Sequence, residues 1–181
     1  MLSRASLNGF KPWSLPNECF GDLRELIMLD CNTGLRASEA LTLEFADVDW
    51  ERRVVRVRNK PHLDFHVKNY QERHIRLNSH AYTALHLMLA KEHPQSDFVF
   101  HRKDGSRWTD IHESFNAVVR RCDLQADPPF NITLHTLRHT FGSWLTIIGV
   151  PLRATQKLMS HNSIVTTERY AHLSGSLTTA V

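Results

Sequence analysis

A change in hydrophobic period along the chain is the feature that most constrains its fold. Apolar residues follow a helical spacing from Leu23 to Leu29, with Gly34 placed to end that helix, and residues 53–58 are then rich in valines that partly alternate with arginine. Helical spacing returns in residues 79–92 and dominates the last third of the chain. Helical segments on both sides of a short strand-forming region predict an α+β fold that is mainly α-helical.

The strand-forming region predicts a small three-stranded antiparallel sheet on one edge of the domain. Residues 53–58, 65–68 and 73–77 are the expected strands, and residues 69–72 are the expected turn between the second and the third. Ser79 is the candidate N-cap of the helix that follows the sheet.

The last third of the chain predicts one long helix followed by two short ones. The long helix has an apolar stripe whose spacing turns it toward a core. The members of this stripe are Leu134, Leu137, Phe141, Leu145 and Ile148. Gly149 and Pro151 end the long helix, and the short helices are expected in residues 151–159 and 163–170.

Composition predicts one folded domain in a chain of 181 residues. With 41% hydrophobic and 23% charged residues, the chain is too apolar to be disordered and too polar to be a membrane protein. Residues 1–20 show no period and are expected to be a linker or leading arm, followed by the domain over residues 21–173 and a short tail over residues 174–181. Three cysteines without metal or disulfide spacing predict reduced thiols in a cytosolic or nuclear chain.

The charge balance permits a nucleic-acid partner without requiring one. The net charge is +3, and the 16 arginines outnumber the 6 lysines, which favours bidentate contacts with phosphate. The 12 histidines raise the question of a metal site. His135 and His139 are four residues apart, but Thr136 stands where a zinc-protease helix has glutamate. We therefore expect no metal and no cofactor, and the absence of a Gly-x-Ser-x-Gly sequence argues against a serine hydrolase.

Several polar residues are candidates for a functional site, although each has a simpler structural interpretation. Arg36 begins a helix and could face solvent, while Glu39, three residues later, could hold its guanidinium or only cap the helix. Tyr170 could be a core aromatic, and His161 could be an ordinary loop or N-cap residue. None of these residues identifies a function by itself.

Four segments taken in order resemble the catalytic domain of the tyrosine recombinases, the phage integrase family. They are residues 33–39 (TGLRASE), 135–140 (HTLRHT), 160–161 (SH) and 167–172 (TERYAH). The likeness spans about residues 21–173. It implies the fold of that catalytic domain, with site-specific cleavage and rejoining of DNA through a covalent 3′-phosphotyrosyl intermediate, in the integration or excision of a mobile element. It also implies double-stranded DNA as partner, a tetramer on DNA, no membrane contact, and a cytoplasmic location at the nucleoid.

The resemblance also implies which side chains carry the chemistry. The implied catalytic residues are Arg36, Lys68, His135, Arg138, His161 and Tyr170, with Glu39 in support. The arginines would bind the phosphate, His161 would donate to a non-bridging oxygen, and Tyr170 would be the nucleophile, assisted by His135. Lys68 would be the general acid because residues 68–77 match the pattern Lys-x-x-x-x-Arg-x-Ile-x-Leu, with Lys60 as its rival.

Further basic residues could follow the DNA backbone or could simply be solvated charges along a strand edge. They are Arg52, Arg53, Arg56, Arg58, Lys60, Arg102, Lys103 and Arg107. Two alternatives to recombination remain: relaxation of DNA by a topoisomerase IB-like enzyme, and a catalytically idle DNA-binding fragment.

The chain departs from the family pattern in two respects. Residues 159–161 read Met-Ser-His where the family usually has Leu-Gly-His, which could alter the turn while keeping the imidazole. The helical DNA-binding domain that usually precedes the catalytic domain is absent, so we expect an excised catalytic fragment or an unusually short natural protein.

Overall fold

The computed structural model describes residues 21–68, 71–91, 96–122, 124 and 132–173. The expected leading arm, the expected tail and part of the expected turn over residues 69–72 lie outside this described portion. The α-helices of the described portion are α1 (Leu23–Thr33), α2 (Ala37–Leu41), α3 (Ser79–Leu89), α4 (His112–Arg121), α5 (Leu134–Ile147), α6 (Leu152–Leu158) and α7 (Val165–Glu168). Short 3-10 turns occupy Phe45–Asp47, Pro61–Leu63 and Ala171–Leu173.

Three short strands form the antiparallel sheet that the sequence predicts. They are β1 (Val48–Asp49), β2 (Val54–Val57) and β3 (Arg73–Arg76), in the order β1-β2-β3. Val55 lies opposite Val48 on one side and opposite Ile75 on the other, and all three side chains are buried. The sheet thus has one face on the core, and the α+β, mainly helical fold is confirmed.

The predicted strand over residues 65–68 is wrong, because β1 takes its place in the sheet. Phe65 forms only an isolated antiparallel bridge with Lys60. Between them, Pro61 opens a 3-10 turn and Asp64 has a φ of +51°, so the chain reverses there instead of running along β2.

The core is built around α1, which packs against α3 and α5. Leu26, Ile27 and Leu29 of α1 have no exposed surface. The helix ends at Gly34 as predicted, with a φ of +63° and its N–H bonded to the carbonyl of Asp30. A β-carbon on Gly34 would overlap the ring of Phe141, so this glycine allows α5 to approach the start of α2.

Two local expectations are corrected at helix ends. The N-cap of α3 is Asn78, whose side-chain oxygen accepts a hydrogen bond from the N–H of Ala81, and Ser79 is already helical. On α5, Leu134 and Leu137 are buried, but Ile148, the C-cap of the helix, is 64% exposed. Among the described residues, no helix is long and apolar enough to cross a membrane.

Candidate active site

The turn after α6 brings two arginines from distant segments together. Arg36 donates through Nη2 to the carbonyl of Ser160 at 3.0 Å, and Arg138 donates through Nη2 to the carbonyl of Met159. Ser160 has a φ of +48°, a left-handed conformation in which glycine is favoured. The turn therefore keeps its left-handed conformation without glycine. Its two consecutive carbonyl groups point toward the two guanidinium groups.

Arg138 connects this turn to the junction between α1 and α2. Its side chain is 2% exposed, and Nη1 donates to the carbonyl of Gly34. Burial, followed by the charge of Arg36, lowers the pKa of Arg138 to about 10. The guanidinium is therefore still cationic at neutral pH, held beside a second positive charge.

Arg36 is half-buried, and Glu39 fixes both its backbone and its side chain. Glu39 accepts from the N–H of Arg36 at 2.8 Å and from Nη1 at 2.8 Å, so it acts both as the helix cap and as the guanidinium partner. Arg73, on β3, donates to the same carboxylate. Burial alone would raise the pKa of Glu39, but the hydrogen bonds and charges of Arg73 and Arg36 lower it, which keeps the carboxylate ionised.

His161 lies directly after the turn and faces α7. Its Nδ1 is 2.9 Å from the hydroxyl of Thr167, a fully buried residue. Burial, followed by the charges of Arg138 and Arg36, lowers the pKa of His161 to about 4. The ring is therefore neutral at pH 7, and it stands close enough to both arginines to respond to their charge.

Tyr170 is buried, with its hydroxyl directed at α5. The residue is 3% exposed, and its oxygen is 2.6 Å from Nδ1 of His139. The ring of His139 meets that of His135 edge to face, with 4.5 Å between centroids. Burial raises the pKa of Tyr170, although the charges of Arg169 and Arg138 act in the opposite direction. The phenol is thus a protonated, enclosed group in a cationic neighbourhood.

A glycine of α5 makes room for this phenol. A β-carbon on Gly142 would lie 2.8 Å from both Cε2 and Cζ of Tyr170 and 2.7 Å from the sulfur of Met159. Such distances are too short for carbon and sulfur atoms in contact. The absence of a side chain at Gly142 therefore lets Tyr170 and the turn at Met159 pack against the same face of α5.

The sequence model of the phage integrase family matches residues 11–176. This chain belongs to the phage integrase family. Tyrosine recombinase XerC from Actinobacillus pleuropneumoniae serotype 7 is 32% identical over 157 residues, which cover 84% of this chain and 48% of that recombinase. The chain therefore spans about half the length of this curated relative.

Solved structures of integrases share the fold. The Tn1549 transposon integrase in complex with a circular intermediate DNA has a TM-score of 0.74 at 23% identity, over 92% of this chain and 58% of that one. The catalytic domain of bacteriophage HP1 integrase has a TM-score of 0.65 at 23% identity, over 99% of this chain and 92% of that domain. The mainly helical architecture with its small sheet is thus the catalytic-domain fold of this family.

The two lysines considered in this phage integrase domain have opposite environments. Lys68 is exposed. Lys60 is 3% exposed, and its Nζ donates to the carboxylate of Asp47 and to the carbonyl of Thr42, with Glu44 at 3.6 Å. The ammonium of Lys60 is enclosed with the carboxylates that neutralise it, which argues against its predicted contact with the DNA backbone.

The other predicted backbone-contacting residues differ in their exposure and in their partners. Arg52, Arg53, Arg56, Arg102 and Lys103 are exposed, and Arg58 and Arg107 are half-buried. Arg58 pairs with Asp47 at 2.6 Å and with Glu44 at 3.2 Å, and the guanidinium of Arg53 lies 4.5 Å from the ring centre of Tyr82. For the exposed members, contact with DNA stays a prediction.

Sequence reasoning missed three side chains that build this site: Arg73, His139 and Thr167. The sequence indicates His139 as a possible metal ligand and as part of the segment HTLRHT, and Arg73 as part of the pattern around Lys68, with no role for either in the site. Within the described ranges, no group of three or more His, Cys, Asp or Glu side chains is arranged to hold a metal ion. Among the described residues, Cys31 and Cys122 form no disulfide.

Proposed function

We propose that this chain carries the catalytic centre of a site-specific DNA recombinase that integrates or excises a mobile element. The observation that supports this proposal is that the guanidinium groups of Arg36 and Arg138 bond adjacent carbonyl groups of one turn. A phosphodiester in the act of cleavage offers several oxygens that carry increasing negative charge. Two guanidinium groups held side by side, with a neutral imidazole next to them, match that charge and its geometry.

The chemistry is a direct exchange of one ester for another. The oxygen of Tyr170 attacks the scissile phosphorus, the bond from phosphorus to the 5′ oxygen breaks, and a 3′-phosphotyrosyl ester forms. His135 assists removal of the phenol proton, and Lys68 supplies a proton to the departing 5′ oxygen. Because the phosphate ester is kept, the 5′-hydroxyl of another strand can reverse the reaction without an external energy source.

Lys68 suits the role of general acid better than Lys60 does. Lys68 is exposed in the segment that leads to β3, whereas the ammonium of Lys60 is already bonded to Asp47 and Thr42. Moving Lys60 to the phosphate would leave the buried carboxylate of Asp47 without its closest cation, which is energetically costly.

The burial of Tyr170 makes the present arrangement a resting one. A phenol that is 3% exposed has no room for an incoming phosphate beside its oxygen. The tyrosine follows a helix of only four residues and precedes a 3-10 turn of three. Such short elements have few hydrogen bonds to break, so on DNA this segment shifts enough to open the phenol oxygen to the phosphate while that oxygen stays bonded to His139.

The partner in this proposal is double-stranded DNA, on which four copies assemble to exchange strands. The exposed arginines Arg52, Arg56 and Arg102 supply contacts to the backbone that weaken with salt. Its DNA substrate places the protein in the cytoplasm, at the nucleoid.

Trapping of the intermediate tests this function. The 181-residue chain is incubated at low salt with nicked duplexes that carry a randomised core. After cleavage, the short fragment that carries the new 5′-hydroxyl diffuses away, so the strand cannot be resealed. Wild type should form an adduct that survives denaturation, and Tyr170→Phe should form none. Failure of wild type to form any adduct, or an undiminished adduct with Tyr170→Phe, would contradict the proposal. Relaxation of supercoiled DNA without transfer to a second duplex would indicate a topoisomerase instead.

A further inference from the structure

His139 lies between the hydroxyl of Tyr170 and the guanidinium of Arg169. Its Nδ1 is 2.6 Å from the phenol oxygen, and its Nε2 is 3.3 Å from Nη1 of Arg169. The four catalytic-domain segments that the sequence shares with its family assign no function to this histidine. Both ring nitrogens of His139 are nevertheless engaged, and one of them touches the proposed nucleophile.

The arginine determines which nitrogen of His139 carries the proton. A guanidinium only donates hydrogen bonds, so Nε2 must present its lone pair to Arg169. A neutral imidazole has one N–H, which is then on Nδ1 and points at the oxygen of Tyr170. Burial, followed by the charges of His135, Arg169 and Arg138, lowers the pKa of His139 to about 4, so the ring is neutral at pH 7.

We propose that His139 is a further catalytic residue, a hydrogen-bond donor to the oxygen of Tyr170 whose tautomer is selected by Arg169. This inference rests on the proposed function, in which Tyr170 is the nucleophile. The oxygen accepts from Nδ1–H, so its own hydrogen points elsewhere and is free to leave to a base. His139 keeps its proton throughout and therefore cannot be that base. The proposed function gives that role to His135, whose ring contacts the ring of His139.

The donated hydrogen bond acts in both directions of the reaction. During cleavage, the phenol loses its hydrogen as the oxygen bonds to phosphorus, and the N–H stabilises the negative charge that develops on the oxygen. During rejoining, the 5′ oxygen bonds to phosphorus, the bond to Tyr170 breaks, and the same N–H stabilises the departing phenolate. A donor is of use in each step, whereas an acceptor at this place would hold the phenol in its neutral form.

The tautomer can be measured on the full chain without any DNA. Nitrogen-15 shifts and long-range nitrogen–proton couplings of labelled histidine, assigned with His139→Asn, should show the proton on Nδ1 at pH 7. Replacement of the donor in Arg169→Met should release the ring to the Nε2–H form. A proton on Nε2 in wild type would overturn the inference.

The ionisation of Tyr170 gives a second readout that a merely structural role would not produce. The pKa of Tyr170 is measured by NMR with carbon-13 in the tyrosine ring. His139→Leu removes a donor and should raise this pKa further. His139→Asn, which places an amide N–H near the position of Nδ1, should return the pKa to the wild-type value. A lower pKa in His139→Leu would mean that the histidine accepts, contrary to the inference.

Adduct formation connects the hydrogen bond to the reaction. His139→Leu should slow it by about tenfold to a hundredfold, because a bond to a charged oxygen is lost, and His139→Asn should recover most of the rate. Equal rates for wild type and His139→Leu would overturn the catalytic role. If wild type forms no adduct at all, the proposed function fails. The nitrogen-15 measurement on the DNA-free chain still shows whether Nδ1 of His139 donates to Tyr170.

Discussion

Arg73 and Glu39 form a bidentate ion pair beneath the candidate phosphate site. The two amino groups of the guanidinium donate to the two carboxylate oxygens at 2.9 and 2.7 Å, and the side chains of Arg73 and Glu39 are only 9% and 1% exposed. Because Glu39 also holds Arg36, strand β3 fixes the position of a residue that lies 37 positions earlier in the chain. The sheet thus contributes to the site through a residue whose side chain is almost completely buried.

Removal of Arg73 should destabilise the domain more than removal of a neighbouring arginine. Arg73→Ala leaves a buried carboxylate with fewer donors, and we expect the free energy of unfolding in urea to fall by about 2–4 kcal/mol. Arg76→Ala, on the same strand but exposed, is the control and should change it by less than about 0.5 kcal/mol. Equal losses for the two variants would contradict the assigned role of the pair.

Ser160→Gly should stabilise the domain. A serine at a φ of +48° lowers the free energy of unfolding by roughly 1–2 kcal/mol relative to a residue without strain. Glycine removes this strain, but it loses more backbone entropy on folding, which cancels part of the gain. The thermal midpoint should rise by roughly 2–4 °C. Gly149→Ala is the mirror control, since Gly149 has a φ of +85° with open space at its β-carbon, and its midpoint should fall. A lower midpoint for Ser160→Gly would show that the serine side chain stabilises the turn.

Acid should destabilise the domain in part through His161. Its pKa is about 4 in the folded chain, below the usual 6.5, so the unfolded chain binds more protons between these pH values. The free energy of unfolding therefore falls as the pH drops from 6.5 toward 4. His161→Asn should reduce that slope, whereas His112→Asn, at an exposed position, should keep it. Parallel slopes for wild type and His161→Asn would contradict this expectation.

Lys68→Ala should lose its activity on an ordinary phosphodiester and regain it on an activated one. Without a general acid, adduct formation should slow by about a hundredfold or more. A sulfur at the 5′-bridging position leaves without a proton, so this substrate should restore the rate. Arg120→Ala, at an exposed basic residue of α4 that is not among the predicted DNA contacts, should behave like wild type on both substrates. Lack of rescue would remove Lys68 from the acid role.

The sequence predicts those parts of the fold that depend on residues close together in the chain. Gly34 ends α1 because the left-handed turn and the close ring of Phe141 both exclude a side chain there. The sequence does not reveal strand β1, because two residues are too few to show a period. It wrongly predicts a strand over residues 65–68, because their composition favours a strand that Pro61 and Asp64 prevent.

The contacts within the site depend on packing between distant segments, which no local pattern reports. His139 and Tyr170 are in contact although they lie 31 positions apart. Lys60 pairs with Asp47 inside the domain, whereas its charge alone would predict an exposed side chain. The resemblance named Arg36, Arg138 and His161, and the structure brings them to one turn. The catalytic roles of these three residues stay a prediction.

Mapping the residue that carries the DNA is the most direct test of the central claim. The trapped adduct is digested with nuclease and trypsin, and the peptides are sequenced by mass spectrometry. The account predicts a nucleotide esterified to Tyr170, one of three tyrosines in the chain, and no such peptide from Tyr170→Phe. A nucleotide on Tyr70, on Tyr82 or on any serine would contradict it.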